Sequence, residues 1–250
     1  TSRMGHLHAL NALGEAYYFQ GRLADSIRAF ERIVAATDDA PVDAGTPRVE
    51  ALANLAFMEM RSGAFDRAEA RYHDAIVAAS ALPDGERDET TTLIIRGNLA
   101  SLYTYMERIA DAERVYRDVI ERAKVVYGAE HSETAQFIAN LASMLMRSGR
   151  VEEAIPSLRE SLAIQEAVLG STHAKTLVTL NNVAEALLRV GRLGDATTIV
   201  DDGIDRAVEA YGEDDRTTLF LRYTKAKIER AAGRHDAAEA QLIASLAAHR

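Results

Sequence analysis

The sequence predicts an all-α solenoid of six helix-turn-helix repeats, and three observations carry that prediction. A turn residue recurs at Gly21, Gly63, Glu107, Gly149, Gly191 and Gly233, in steps of 42, 44, 42, 42 and 42. The tripeptides Asn98-Leu99-Ala100, Asn140-Leu141-Ala142 and Asn182-Val183-Ala184 stand nine residues before three of those turns. Between turns the apolar residues follow the three-and-four spacing of a helix face. A unit of this size cannot bury its own apolar stripe, so the units must stack on one another. One continuous array over residues 1–250 is expected, with repeats near 6–45, 46–89, 90–131, 132–173, 174–215 and 216–250.

Each repeat then justifies two helices. In the first, a helix holding Leu13, Gly14 and Tyr17 ends at Gly21, and a second holding Ser26 and Phe30 runs into Asp38-Asp39-Ala40-Pro41, with Thr46-Pro47 opening the next unit. A proline forces the residue before it out of helical geometry, so the second helix ends early. The second repeat carries Leu52, Leu55 and Ala56 before Gly63, then Ala68 after it, and closes at Pro83-Asp84-Gly85 with two extra residues. The third has Glu107 at the turn and Ala112 and Tyr116 beyond it. In the fourth, Phe137, Ile138, Leu141, Met144 and Leu145 share one face, Ser148-Gly149-Arg150 breaks the run, and Val151, Ala154, Ile155, Leu158 and Leu162 resume it. Pro156 lies near the start of that second helix, where a missing N–H costs little. The fifth repeats the scheme around Gly191. The sixth places Arg222 and Lys225 where other copies have leucine or isoleucine, as a terminal cap with a less covered face would. Small residues mark where the paired helices cross: Gly14, Ala56, Ala100, Ala142, Ala184 and Ala226 on the first helix, Ser26, Ala68, Ala112, Ala154, Ala196 and Ala238 on the second.

Composition narrows the function. Lys plus Arg number 29 against 38 Asp plus Glu, a net charge of -9, which disfavours nucleic-acid backbone binding. No apolar run approaches the length that spans a bilayer, and residues 1–8 lack the basic and apolar regions of a signal peptide. The chain has no cysteine, which removes disulfides and thiolate chemistry and is compatible with a cytoplasmic location. Thr1-Ser2-Arg3 precedes the first Met4, and Arg250 falls within an apparent helix, as the ends of an excised fragment would.

The series Leu13-Gly14-Tyr17-Gly21-Ser26-Phe30 and Leu99-Ala100-Tyr103-Ala112-Tyr116 resembles the tetratricopeptide repeat. The longer period, Gly149-Arg150-x-x-Glu153-Ala154, and the linkers Gly128-x-x-His131-x-x-Thr134 and Gly170-x-x-His173-x-x-Thr176 are similar to the kinesin light chain subtype. Gly212-x-x-Asp215-x-x-Thr218 reads as a degraded version of that linker. The resemblance covers nearly the whole chain. It implies a right-handed superhelix whose first helices line a concave groove, and a role as a protein-interaction scaffold for peptides or partner helices.

Residues seven apart share a helix face, which selects Asn54, Asn98, Asn140 and Asn182 and, two turns on, Arg61, Tyr105, Arg147 and Arg189. An asparagine amide both donates and accepts, so such a row can hold peptide main chain regardless of sequence. Arginine forks bind carboxylates. The two rows point to an extended acidic or C-terminal peptide segment as the ligand. The competing structural reading has each Asn bonding the neighbouring hairpin and each Arg capping helix carbonyls or pairing with Glu.

Other chemistry is sparse. His6, His8, His131 and His173 lack metal-ligand spacing, and Asp38, Asp39 and Asp43 lack the order of a calcium loop. No phosphate loop or nucleophile elbow is present, so no cofactor, metal or catalytic residue is expected. Arg216, Arg222, Lys225, Lys227, Arg230 and Arg234 concentrate positive charge near the C-terminus, as either a solvated cap or a docking face for an acidic partner. Two further roles fit the pattern: a regulatory or sensory module of a larger kinase or transcription factor, and a self-associating assembly module. The sequence leaves the oligomeric state open.

Overall fold

The computed structural model describes residues 3–38 and 45–247, with side chains described as far as residue 241. Asp39, Ala40, Pro41 and Asp43 of the expected first loop lie outside the described residues. Among the described residues there are twelve α-helices and no strand: α1 Arg3–Phe19, α2 Leu23–Ala36, α3 Gly45–Arg61, α4 Phe65–Ala81, α5 Glu89–Tyr105, α6 Ile109–Val126, α7 Ser132–Arg147, α8 Val151–Leu169, α9 Ala174–Arg189, α10 Leu193–Tyr211, α11 Arg216–Ala231 and α12 His235–Ala247. They follow in pairs as six hairpins of a helical repeat solenoid. The chain forms two compact units, Thr1–Val119 and Ile120–Arg250, the division falling inside α6.

The turns explain the period. Gly21, Gly63, Gly149, Gly191 and Gly233 have φ between 73° and 82°, and Glu107, the one non-glycine among the described residues with positive φ, stands at 59°. Only this left-handed step lets the next amide reach back and close the first helix. Arg108 N donates to Tyr103 O at 2.9 Å, as Arg150 N does to Leu145 O at 2.9 Å. The arginine after the turn then forks onto an acid three residues on: Arg22 to Asp25 at 2.7 Å, Arg108 to Asp111 at 2.9 Å, Arg150 to Glu153 at 2.6 Å, and Arg192 likewise to Asp195. These pairs are exposed, so each adds little stability. They do account for the recurring arginine and acid without any ligand.

The crossing residues are buried as the small-residue rule demands. Ala56, Ala100, Ala142 and Ala184 on the first helices and Ala68, Ala112, Ala154 and Ala196 on the second have no exposed surface. At the first crossing Ser26 Oγ donates to Gly14 O at 2.6 Å. A Cβ on Gly14 would stand 2.7 Å from Phe30 Cζ, so glycine is needed for the ring to close over the helix. Pro156 sits inside an unbroken α8. α2, at 14 residues, is shorter than the 17 to 19 of α4, α6, α8 and α10.

The linkers in the second unit share one hydrogen-bonding scheme. Glycine at positive φ ends the incoming helix, the third residue on caps the next helix, and the threonine closes back onto the glycine. His131 Nδ1 accepts from Glu133 N at 3.1 Å, and Thr134 Oγ1 donates to Gly128 O at 2.8 Å. His173 and Thr176 repeat this at 3.1 and 2.9 Å. Asp215 accepts from Thr217 N at 2.7 Å while Thr218 Oγ1 donates to Gly212 O at 2.8 Å. The aspartate linker is therefore chemically equivalent to the other two, not degraded. In the first unit Asp88 caps α5 through Thr90 N and Thr91 N, and hydrogen bonds from both threonines hold its carboxyl below the usual carboxylate range. That contribution is present above the ordinary carboxylate pKa and is lost as pH falls through the lowered one. His131→Ala is expected to cost about 0.5–2 kcal/mol in urea unfolding, whereas His131→Asp retains most of it. Equal losses for both would show that the stacking of His131 on Tyr127, with centroids 5.0 Å apart, matters and the cap does not.

The last hairpin departs from expectation. Lys225 is only 9% exposed, and its ammonium lies 2.7 Å from Asp201 of α10 and 3.1 Å from Glu229. Arg222 pairs with Glu213, Lys227 with Glu185 at 2.6 Å, and Arg234 with Glu229. The face that carries Arg222 and Lys225 is thus covered, because α11 packs against both α10 and α12. Charged side chains replace leucine there by entering with their own carboxylates. Most of the basic cluster is consumed by these pairs, which favours the structural reading of that patch.

Candidate functional site

In the second unit α7 lies beside α9, and Asn140 and Asn182 open on one cleft of about 370 Å³. Both are half-buried. Gln136 Nε2 donates to Asn140 Oδ1 at 3.1 Å, which fixes that amide with its NH2 group as the remaining donor. Asn182 has no hydrogen-bond partner in the protein among the described residues, so its donor and acceptor are both open. Ser143, Lys175, Val178 and Thr179 also line it, with Ala139 and Ala174. The Lys175 ammonium stands 3.6 Å from Glu133, an exposed and weak pair that leaves it able to meet an incoming carboxylate. Arg147 and Arg189 are exposed and end their helices, about 10 Å beyond the asparagines by the rise of seven helical residues. A cation at a helix C-terminus is favoured by the helix dipole, so these positions suit arginine with or without a ligand. Arg189 makes no ion pair among the described residues.

The first unit distributes its candidates differently. Asn54, half-buried on α3, lines a pocket of about 260 Å³ with Glu15, Tyr18, Phe19, Phe30, Phe57 and Met58. Arg61 and Tyr105 meet in a second pocket of about 420 Å³, with Phe57, Met60, Gly63 and Phe65. The Arg61 guanidinium lies 5.9 Å from the Phe57 ring centroid. Asn98 on α5 is half-buried, lines neither pocket, and has no hydrogen-bond partner among the described residues. Asn140 and Asn182 thus line one cleft together, while Asn54 lines a pocket that Asn98 does not. Among the described residues, none of the four side chains bonds a neighbouring hairpin.

Sequence reasoning did not select Gln136, Ser143 and Lys175. Their signal was present, since Gln136 and Ser143 stand four before and three after Asn140, and Lys175 seven before Asn182. It was also silent on the acidic side chains near Asn54. Glu50 lies one turn before Asn54 on α3, and burial, with the charge of Glu15 adding to it, raises its pKa. No group of three or more His, Cys, Asp or Glu residues that could hold a metal occurs among the described residues, and no helix is long and apolar enough to cross a membrane.

Three models described as tetratricopeptide repeat match residues 7–32, 92–133 and 135–207, which together cover more than half of the chain. No curated protein matches the chain in sequence. Among solved structures, the putative kinesin light chain nearly identical TPR-like repeats of Podosopora anserina are 20% identical, over 80% of this chain and 94% of that one, with a TM-score of 0.70. BtubC (BKLC) from P. vanneervenii is 17% identical over 100% of this chain and 92% of that one, with a TM-score of 0.72. The apo form of the quorum sensor NprR from B. thuringiensis is 14% identical over 98% and 76%, with a TM-score of 0.62. At these identities the likeness is one of fold. With three repeat models on its sequence and six hairpins of kinesin light chain-like form in its structure, the chain belongs to the tetratricopeptide repeat family.

Proposed function

We propose that this protein is a cytoplasmic interaction scaffold whose first-helix surfaces grip an extended peptide, with an acidic segment seated on the second unit. The tetratricopeptide repeat fold supports a protein–protein interaction scaffold, and arrays of this family are generally non-catalytic. The observation that carries the finer reading is the cleft shared by Asn140 and Asn182, where the NH2 of Asn140 and both amide groups of Asn182 can meet the donors and acceptors of a main chain. Arg147, Arg189 and Lys175 supply positive charge along the same two helices for ligand carboxylates. In the first unit Asn54, Asn98, Arg61 and Tyr105 belong to the same reading as a separate half-site. Nucleic acid and membrane are not expected as partners of a chain with net charge -9.

The double variant Asn140→Ala, Asn182→Ala tests the main-chain grip. Each neutral hydrogen bond lost is worth about 0.5–1.5 kcal/mol. Fluorescence anisotropy with labelled peptides of different sequence should therefore show a similar weakening for all of them, at unchanged helical circular dichroism. Unaltered affinity throughout would remove the cleft from the function.

A further inference from the structure

We propose that the pocket at the seam of α1 and α3 in the first unit binds the cationic side chain of an arginine or lysine in a polypeptide partner. On α1, Asn11, Glu15, Tyr18 and Phe19 share one face. On α3, Glu50, Asn54 and Phe57 share the adjoining one. Asn11 is only 7% exposed, and its Nδ2 donates both to Glu15 Oε1 at 3.3 Å and to Glu50 Oε2 at 2.7 Å. A single buried amide thus holds two carboxylates within its own hydrogen-bond reach. The Asn11 Oδ1 atom is itself buried without a partner. Like charges so placed repel one another, Glu15 from an exposed position and Glu50 from a half-buried one.

Beyond Glu15, the carboxylate on its lining, the pocket is built mostly from rings. Tyr18 lies edge-on to Phe57, with centroids 6.2 Å apart, and to Phe19 at 5.7 Å. Phe19 is 84% exposed, a large apolar surface left open at the pocket mouth. A ring face attracts a cation, and the carbon stem of Lys or Arg lies along such rings while its head reaches a carboxylate. An anionic side chain would meet Glu15 on the lining, and a purely apolar one would bury it unpaired. A metal ion lacks a third ligand, since no such group exists among the described residues. The Asn54 amide on the lining can bond main chain, which favours a residue of a polypeptide over a free amine.

This inference goes beyond the acidic-segment reading, because it selects the opposite charge with residues of the other unit. Either can fail alone. The test is amide-resolved NMR of the labelled protein titrated with N-acetyl-Gly-Arg-Gly-amide, its lysine, norleucine and glutamate counterparts, and agmatine. The arginine and lysine peptides should shift the resonances of Glu15, Asn54 and Phe57 and bind about tenfold more tightly than norleucine, the scale of one charge-assisted contact. Glu15→Gln, at an exposed position, should reduce that preference, and Glu15→Gln with Glu50→Gln should abolish it with the rest of the spectrum unchanged. Equal affinity for norleucine, preference for glutamate, agmatine binding as tightly as the peptides, or shifts confined to other residues would each overturn the assignment.

Discussion

Ala154→Leu is expected to lower the unfolding free energy by about 1–3 kcal/mol, the usual cost of forcing extra methylenes into a packed crossing. Ala154 has no exposed surface on α8, which packs on α7, where Ala142 is equally enclosed. Leucine there must either push the two helices apart or take a strained rotamer. Ala142→Leu is expected to show the same loss for the same reason. Glu152, exposed two residues away, provides the control, since surface substitutions stay within about 0.5 kcal/mol. Urea unfolding followed by circular dichroism measures all three. A loss at Ala154 no larger than at Glu152 would mean that the hairpins pack on different residues from those assigned.

Arg147→Ala combined with Arg189→Ala is expected to have the largest effect on binding, and a selective one. A hydrogen bond to a charged group is worth about 1.5–3 kcal/mol, so the pair should cost acidic peptides well over tenfold in affinity while neutral peptides lose little. The salt dependence of binding should flatten in the same variant, because the charges responsible for it are gone. The asparagine variant should weaken every ligand alike and leave the salt slope as it was. Titrations at two ionic strengths separate these phenotypes. If acidic and neutral peptides lose equally in the arginine variant, the arginines serve their own helices as dipole partners and no ligand carboxylate meets them.

Much of the fold was legible because repeats report the same constraint several times. One glycine between two amphipathic runs is a weak signal. The same turn at nearly constant steps, with Glu107 standing where glycine stands elsewhere, is a strong one, and the positive φ of Glu107 shows that its place in the register was right. The crossing alanines were equally readable, since their size is dictated by backbone approach and not by distant context. Arg222 and Lys225 were misread because a charge at an apolar register position signals exposure only if no carboxylate enters with it. Asp201 lies 24 residues from Lys225, and no local pattern links the two. The same reason limited the site. Helical spacing placed Asn140 and Asn182 on one surface, but whether an amide is already engaged depends on neighbours such as Gln136. The contrast between an open Asn182 and an Asn54 set among rings and carboxylates is a property of packing, which the shared register conceals.

The most direct test of the scaffold account is to observe the Asn140 and Asn182 side-chain amides by NMR while adding a glutamate-rich, N-acetylated peptide. The account predicts saturable shifts of both NH2 pairs, together with Ser143 and the Arg189 guanidinium, and their loss when Arg147 and Arg189 are replaced by alanine. A peptide that binds with both asparagine amides unmoved, and shifts only residues exposed on α8 and α10, would contradict it.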